Sequence, residues 1–147
     1  MAEAVSEHRI ELAWQRQGVF SHEGFERQHQ IRFNDELVVA AGGAGNAYGS
    51  DPEQMLAAAM ASCHMMTFLA LASKKRLQVL SYEDEAVAEL EQRDDGKFRV
   101  GRIRLSPKAV FEGEAPDAEA LQKMHAKAHD HCFIANSVSC DVAITPR

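Results

Sequence analysis

The feature that most constrains the fold is a long, almost uncharged segment in the middle of the chain. Residues 52–72 consist mainly of alanine, methionine and leucine, and Glu53 is their one charged residue. Asp51 is a suitable N-cap, Pro52 is tolerated at the first helical position, and the basic residues 74–76 suit a helix C-terminus. The pattern predicts a helix over residues 52–76. Because it carries so few charges, we expect this helix to be buried.

Segments of alternating polar and apolar residues lie on both sides of this helix and predict strands. They span residues 8–15, 27–33, 36–41, 78–92, 97–112 and 138–145. Asn34-Asp35 and Asp94-Asp95-Gly96 predict hairpin turns between neighbouring strands. A second helix over residues 117–130 is predicted from one apolar face formed by Ala118, Leu121, Met124 and Ala128. The sequence therefore predicts an α+β fold, with antiparallel sheets packed around a long buried helix, in one domain of residues 1–147.

Composition narrows the class of protein. The 147 residues carry a net charge of −6, which argues against nucleic-acid binding because that depends on phosphate neutralisation. The first residues are partly acidic and lack the apolar core of a secretory signal. The sequence has no uninterrupted run of about 18 apolar residues, so it predicts no membrane span. We therefore expect a cytoplasmic protein whose three cysteines are reduced and are catalytic, metal-binding or simply buried.

The cysteines are the first candidates for chemistry. Cys63 lies well past the first helical turn, where the helix dipole no longer lowers a thiol pKa, so a reactive Cys63 needs a cation such as Arg27 or Arg32. The alternative is a small buried core residue. Cys132 follows the second helix among polar residues, and we expect it to be mobile enough to reach Cys63 if the two Cα atoms come within about 7 Å. Cys140 shares a strand face with valines and is predicted to be a buried bystander.

Two further patterns suggest binding sites. His125 and His129 lie four apart on one helix, and a zinc site could add His131, Cys132 and either Cys63 or His64. The HxxxH spacing has low specificity, and a stripe of surface histidines is the simpler interpretation.

The glycine-rich loop of residues 41–50 precedes the long helix, but Gly43, Gly45 and Gly49 stand one residue off the dinucleotide-binding spacing. Asp51 would also repel a pyrophosphate. We interpret the loop as a flexible strand-to-helix connection.

The chain resembles the OsmC/Ohr family, the osmotically inducible and organic hydroperoxide resistance proteins. The residues that carry the resemblance are Asp51-Pro52-Glu53-Gln54 at the helix start, the alanines 57–59, Cys63 ten residues after the glutamate, and Cys132 in CFIANS. The resemblance extends from about Trp14 to Thr145. Phe133 stands where the family usually has proline, and His64 stands where an aromatic or small residue is commoner.

The resemblance implies the OsmC-like fold, an intertwined homodimer with active sites at the interface, and a cysteine-based peroxidase. Such enzymes reduce organic hydroperoxides and, less well, hydrogen peroxide, without a bound cofactor and with a dithiol or lipoyl-type reductant. Cys63 would be the peroxidatic and Cys132 the resolving cysteine. Glu53 and an arginine, Arg27 or alternatively Arg32, would complete the site.

Helix geometry adds one constraint. Glu53 and Cys63 lie ten residues apart, which corresponds to about 15 Å of rise along a helix, so they cannot touch within one chain. A Glu53 that serves Cys63 must come from the antiparallel helix of a partner copy. Two other functions stay open from the residues alone: a non-enzymatic metal- or ligand-binding protein that uses the cysteines and histidines, and a structural stress protein with inert thiols.

Overall fold

The computed structural model describes residues 2–147, which form two compact units that meet in sequence between residues 52 and 53. The first unit contains an antiparallel sheet of three strands, β1 (Glu11–Ala13), β2 (His29–Arg32) and β3 (Val38–Ala41). The other elements are α1 (Pro52–Lys74), β4 (Val79–Glu83), β5 (Val87–Gln92), β6 (Phe98–Leu105), β7 (Lys108–Phe111), α2 (Ala118–His131), a 3₁₀ turn (Ala135–Ser137) and β8 (Asp141–Ile144). The predicted α+β class is confirmed, whereas the single domain of residues 1–147 stays a prediction.

Two of the predicted strands are each divided in two at a common corner. The segment 78–92 forms β4 and β5, and the segment 97–112 forms β6 and β7; β4 pairs with β7, while β5 pairs with β6 in another sheet. The corner is made by Asp84, whose Oδ1 accepts a hydrogen bond of 2.6 Å from the N–H of Ser106. Pro107 follows, and proline cannot donate to a sheet ladder, which explains why β6 ends at Leu105.

The last strand changes the predicted sheet pattern. The strand β8 pairs with β6 in parallel, with Ile103 opposite Val142. The remaining strand pairs are antiparallel, as predicted, and the predicted hairpin turn at Gly96 joins β5 to β6. A parallel pair requires a long crossover, and here the crossover includes β7 and α2. This crossover places Cys132, at the end of α2, in one core cluster with Ile103 and Leu105 of β6.

The helix α1 buries one stripe of its surface rather than all of it. The stripe consists of residues three or four apart, namely Ala57, Met60, His64, Phe68 and Ala72. Its first half packs with Ile103 and Leu105 of β6, and its second half with Met124 and Ala128 of α2. Other apolar residues of the helix, such as Met66, which is 58% exposed, face outward in the single chain. The predicted helix is therefore buried along one stripe, and its other faces are partly exposed in one copy of the chain.

By length and composition alone, α1 could cross a membrane, a test that the core helices of soluble proteins also pass. Its stripe of buried residues packs against β6 and α2, as expected for a core helix. The absence of a membrane span stays a prediction.

The glycine-rich loop of the first unit is held in place by Asn46. Its Oδ1 accepts hydrogen bonds from the N–H groups of Tyr48 and Gly49, and its Nδ2 donates to the carbonyls of Gly43 and Ser50. The Ser50 N–H also donates to the Ala40 carbonyl of β3, and the Ser50 carbonyl accepts from the N–H of Gly42, which follows β3. The loop is therefore an ordered turn rather than the flexible connection that its glycines suggest.

Candidate active site

The middle of α1 places Cys63 beside the core of the second unit. Its side chain is half-buried and packs against the core residues Met60, Ile103, Leu105 and Cys132. The hydroxyl of Thr67, one turn further along α1, donates a hydrogen bond of 2.8 Å to the Cys63 carbonyl. The helix therefore fixes the Cys63 backbone, and the residue keeps part of its surface exposed.

The end of α2 places Cys132 in that same core, completely shielded from solvent. Cys132 is the C-cap of α2 with extended backbone angles, and the chain then turns so that Asn136 donates to its carbonyl at 3.0 Å. The N–H of Ala135 donates to the Cys132 Sγ at 3.4 Å. The residues that are polar neighbours of Cys132 in the sequence therefore face away from its thiol. The thiol is buried and held in place, whereas the sequence predicted a mobile thiol among polar residues.

The two thiols are both free and lie in the same core, and the pKa of each depends on the other. Burial raises the pKa of Cys63, but hydrogen bonds outweigh it, and the net pKa is lowered. The largest of these contributions come from the backbone N–H of Ile134, the Cys132 thiol and the backbone N–H of Phe133. These groups stabilise a thiolate without a cation, which sequence reasoning had considered necessary.

The pKa of Cys132 shifts in the opposite direction. Burial raises it, the Ala135 N–H lowers it, and the contact with Cys63 raises it further. The pair therefore consists of an accessible thiol that ionises readily and a buried thiol that keeps its proton. Such a separation of two neighbouring titratable groups is typical of paired catalytic residues with different roles.

The remaining predicted residues occupy separate places. Glu53 lies in the first turn of α1, and Cys140, just before β8, is half-buried against the same core as Cys132. Arg27 and Arg32 belong to the first unit. Arg32 faces Glu11 across the sheet at 3.9 Å, and the Arg27 guanidinium lies over the Phe25 ring at 4.2 Å.

Arg27 lines an apolar pocket within the first unit. The cavity of about 440 Å³ is walled mainly by aromatic and aliphatic side chains and also includes His29; its lining is Leu12, Trp14, Phe20, Phe25, Arg27 and His29. Such a pocket suits an apolar organic group next to a charge.

The interpretation of the α2 histidines as a stripe on the surface is wrong for His125. His131 is exposed, and His125 is buried with its Nδ1 3.0 Å from the Nε2 of His64. Within residues 2–147, no three His, Cys, Asp or Glu side chains are placed to hold a metal ion. Sequence reasoning missed both this pair and the backbone donors after Cys132. The available signals were His64 on the apolar helix and Phe133, which keeps an N–H that proline lacks.

Comparison with known proteins identifies the family. The family of OsmC-like proteins matches residues 43–147, which include Cys63, Cys132 and all of the second unit. The chain belongs to the OsmC-like family. No curated protein gives a significant match.

Solved structures of OsmC-like proteins share this fold over nearly the whole chain. An OsmC-like protein of unknown function from Vibrio cholerae O1 biovar eltor is 35% identical with a TM-score of 0.88, covering 97% of this chain and 100% of that one. The organic hydroperoxide resistance protein OhrB of Bacillus subtilis is 22% identical with a TM-score of 0.69, over 95% and 98% of the two chains. A hydroperoxide resistance protein from Legionella pneumophila is 16% identical with a TM-score of 0.71, over 98% and 97%. The last two likenesses establish the fold alone.

Proposed function

We propose that this OsmC-like protein is a thiol-dependent peroxidase that reduces organic hydroperoxides, and hydrogen peroxide less well. The observation that carries the proposal is the contact between two thiols whose pKa values shift apart, lowered at the accessible Cys63 and raised at the buried Cys132. The organic hydroperoxide resistance proteins that share the fold are consistent with it. A low pKa provides the thiolate that attacks peroxide, and partial exposure admits the substrate.

The reaction has three balanced steps. The Cys63 thiolate attacks one peroxide oxygen, an S–O bond forms, the O–O bond breaks, and the alkoxide takes a proton and leaves as an alcohol. Cys132 then condenses with the Cys63 sulfenic acid, giving a disulfide and water. An external dithiol, such as a lipoyl-type dithiol, exchanges with the disulfide and restores both thiols while it is oxidised itself. No bound cofactor is required, and reduced cytoplasmic thiols suit this cycle.

Arg27 and Glu53 are proposed to complete the site. Arg27 is preferred to Arg32 because it lines an apolar pocket able to accept an organic group, whereas Arg32 faces Glu11. A guanidinium near Cys63 would add to the backbone donors and polarise the peroxide oxygen. Substitution of Arg27 by alanine should reduce turnover more than the same substitution at Arg32, which serves as the matched control.

We propose a homodimer as the active form. Large apolar side chains are exposed in the single chain, among them Leu12 at 63%, Phe20 at 62% and Met66 at 58%. Exposed apolar side chains of this size favour association. Glu53 cannot reach Cys63 of its own chain, because about 15 Å of α1 separates them. A partner copy would supply Glu53 to that site instead. Light scattering at micromolar concentration should give twice the chain mass, and a monomer with full activity would refute this part.

The first experiment is a mass-spectrometric thiol count after one equivalent of cumene hydroperoxide. We expect rapid loss of two thiols and a peptide pair that links Cys63 to Cys132. Cys63→Ser should abolish the reaction, and Cys132→Ser should allow one reduction and then overoxidation of Cys63. If Cys63 and Cys132 stay reduced while added peroxide persists, the peroxidase proposal fails.

A further inference from the structure

The buried contact between His64 and His125 is an in-plane hydrogen bond that joins α1 to α2. The nitrogens Nε2 of His64 and Nδ1 of His125 are 3.0 Å apart, the ring centroids are 5.3 Å apart, and the ring planes differ by 10°. Face-to-face rings at that separation could not bring two nitrogens so close. The imidazoles therefore lie edge to edge in nearly one plane, which is the favourable direction for an N–H···N hydrogen bond.

A second contact fixes the His125 ring. Phe68 lies one turn after His64 on α1, and its ring stacks on the face of His125 with centroids 4.3 Å apart and planes 17° apart. His125 is thus held by its edge and by its face from two successive turns of α1. His64, Phe68 and His125 are at most 2% exposed. This arrangement leaves α2 little freedom to slide or rotate against α1.

The arrangement leaves buried nitrogens unpaired, which apolar packing would not do. Two neutral imidazoles share one N–H between them, so one of the two outer nitrogens carries the remaining N–H and the other is an acceptor. Those outer atoms, Nδ1 of His64 and Nε2 of His125, are buried and have no hydrogen-bond partner within residues 2–147. Leaving such groups unpaired is destabilising, so leucine at both positions would suit stability at least as well. This suggests that the pair contributes orientation rather than stability.

The pair stands next to both cysteines. His64 follows Cys63 directly on α1, and His125 lies two turns before Cys132 on α2. His129, between them on α2, accepts the Cys132 N–H with its carbonyl. A change in the register of the two helices would therefore move the two thiols relative to each other.

We propose that His64 and His125 are positioning residues, whose hydrogen bond keeps α1 and α2 in the register that holds the Cys63 and Cys132 thiols in contact. Their importance for turnover rests on the proposed function, because only a two-cysteine cycle needs this contact. The orientation itself is a property of the reduced protein and is measurable without peroxide.

The test measures the effective concentration of the two thiols by equilibrating the protein with reduced and oxidised glutathione. The variant His64→Leu/His125→Leu removes the bond without leaving one histidine unpaired. We expect its effective concentration to fall about two- to tenfold, the factor that corresponds to one net hydrogen bond. His64→Gln/His125→Asn places amide groups near the bonded nitrogens and should restore most of the loss.

Leu121→Ala is the matched control, because Leu121 packs in the same core one turn before His125 on α2 but takes no part in the histidine hydrogen bond. It should lower the urea midpoint while leaving the effective concentration unchanged. An unchanged effective concentration in the double leucine variant would overturn the proposal, as would an equal fall in Leu121→Ala or in the glutamine–asparagine variant. A fall in the leucine variant together with absent peroxide turnover would sustain the positioning role while the peroxidase proposal failed.

Discussion

The buried histidine pair predicts a specific dependence of stability on pH. Burial lowers the pKa of both His64 and His125 to about 4, and repulsion from His125 and His129 contributes for His64. In the unfolded chain the ordinary histidine pKa is about 6.5. Between these two values the unfolded state binds protons that the folded state does not, so the free energy of unfolding decreases as pH falls from 6.5 towards 4.

The size of the effect follows from the two pKa values. Each histidine should remove about 2 kcal/mol of stability between pH 7.5 and pH 5, so the pair removes about 4 kcal/mol. Asp84 acts in the opposite sense, because burial raises its pKa and the folded state then binds its proton more readily. Tyr82, which packs against Phe68, has a raised pKa and stays neutral throughout this range.

The assay is urea unfolding followed by circular dichroism at several pH values from 7.5 to 5. The variant His64→Leu/His125→Leu should lose most of the pH dependence of the wild-type protein. The other five histidines and Asp84 are common to both proteins, so the difference between the two curves isolates the pair. Equal slopes in the two proteins would refute the assignment of neutral buried imidazoles.

Three other predictions concern the backbone. Phe133→Pro removes an N–H donor and should raise the pKa of Cys63. The shift should be visible in the pH profile of alkylation by iodoacetamide. Phe133→Ala keeps the N–H, so equal profiles for the two variants would contradict the role of this donor. Arg76→Gly should raise the free energy of unfolding by about 1 kcal/mol, because Arg76 has a φ of 61°, a left-handed backbone conformation that is strained for every residue except glycine. A lower melting temperature in the variant would refute this. Gly49→Ala should destabilise the protein by more than about 1 kcal/mol, since its Cβ would lie 2.1 Å from the Ala40 carbonyl oxygen, and unchanged melting would show that the loop yields.

The elements of the fold were largely predictable because they depend on local patterns. The long helix was predicted over residues 52–76 and lies at Pro52–Lys74, and the second helix differs from its prediction by one residue at each end. The corner at Asp84 was not predictable, because alternation continues across it and its cause is a hydrogen bond to a distant residue, Ser106. The parallel pairing of β8 also depends on where α2 packs, which no local pattern records.

For the site, sequence reasoning selected the two cysteines but misjudged what surrounds them. It placed Cys132 among polar residues because its neighbours in sequence are polar, whereas the turn after α2 directs the thiol into the core. It sought a cation for Cys63 because side-chain types are visible in a sequence, whereas the N–H groups of Phe133 and Ile134 gain their role only from the chain path. The role of Arg27 stays a prediction.

The complete burial of Cys132 determines which sulfur of the proposed disulfide an incoming reductant meets. Cys63 keeps part of its surface open, whereas Cys132 has none. In the proposed cycle a reducing dithiol would therefore attack the Cys63 sulfur and form its transient mixed disulfide there, while Cys132 would depart as the leaving thiol. Because the raised pKa of Cys132 makes it a poor leaving group, monothiols should regenerate the protein slowly. A dithiol would complete the exchange with its own second sulfur, so in the proposed cycle the packing of one side chain would select the class of electron donor.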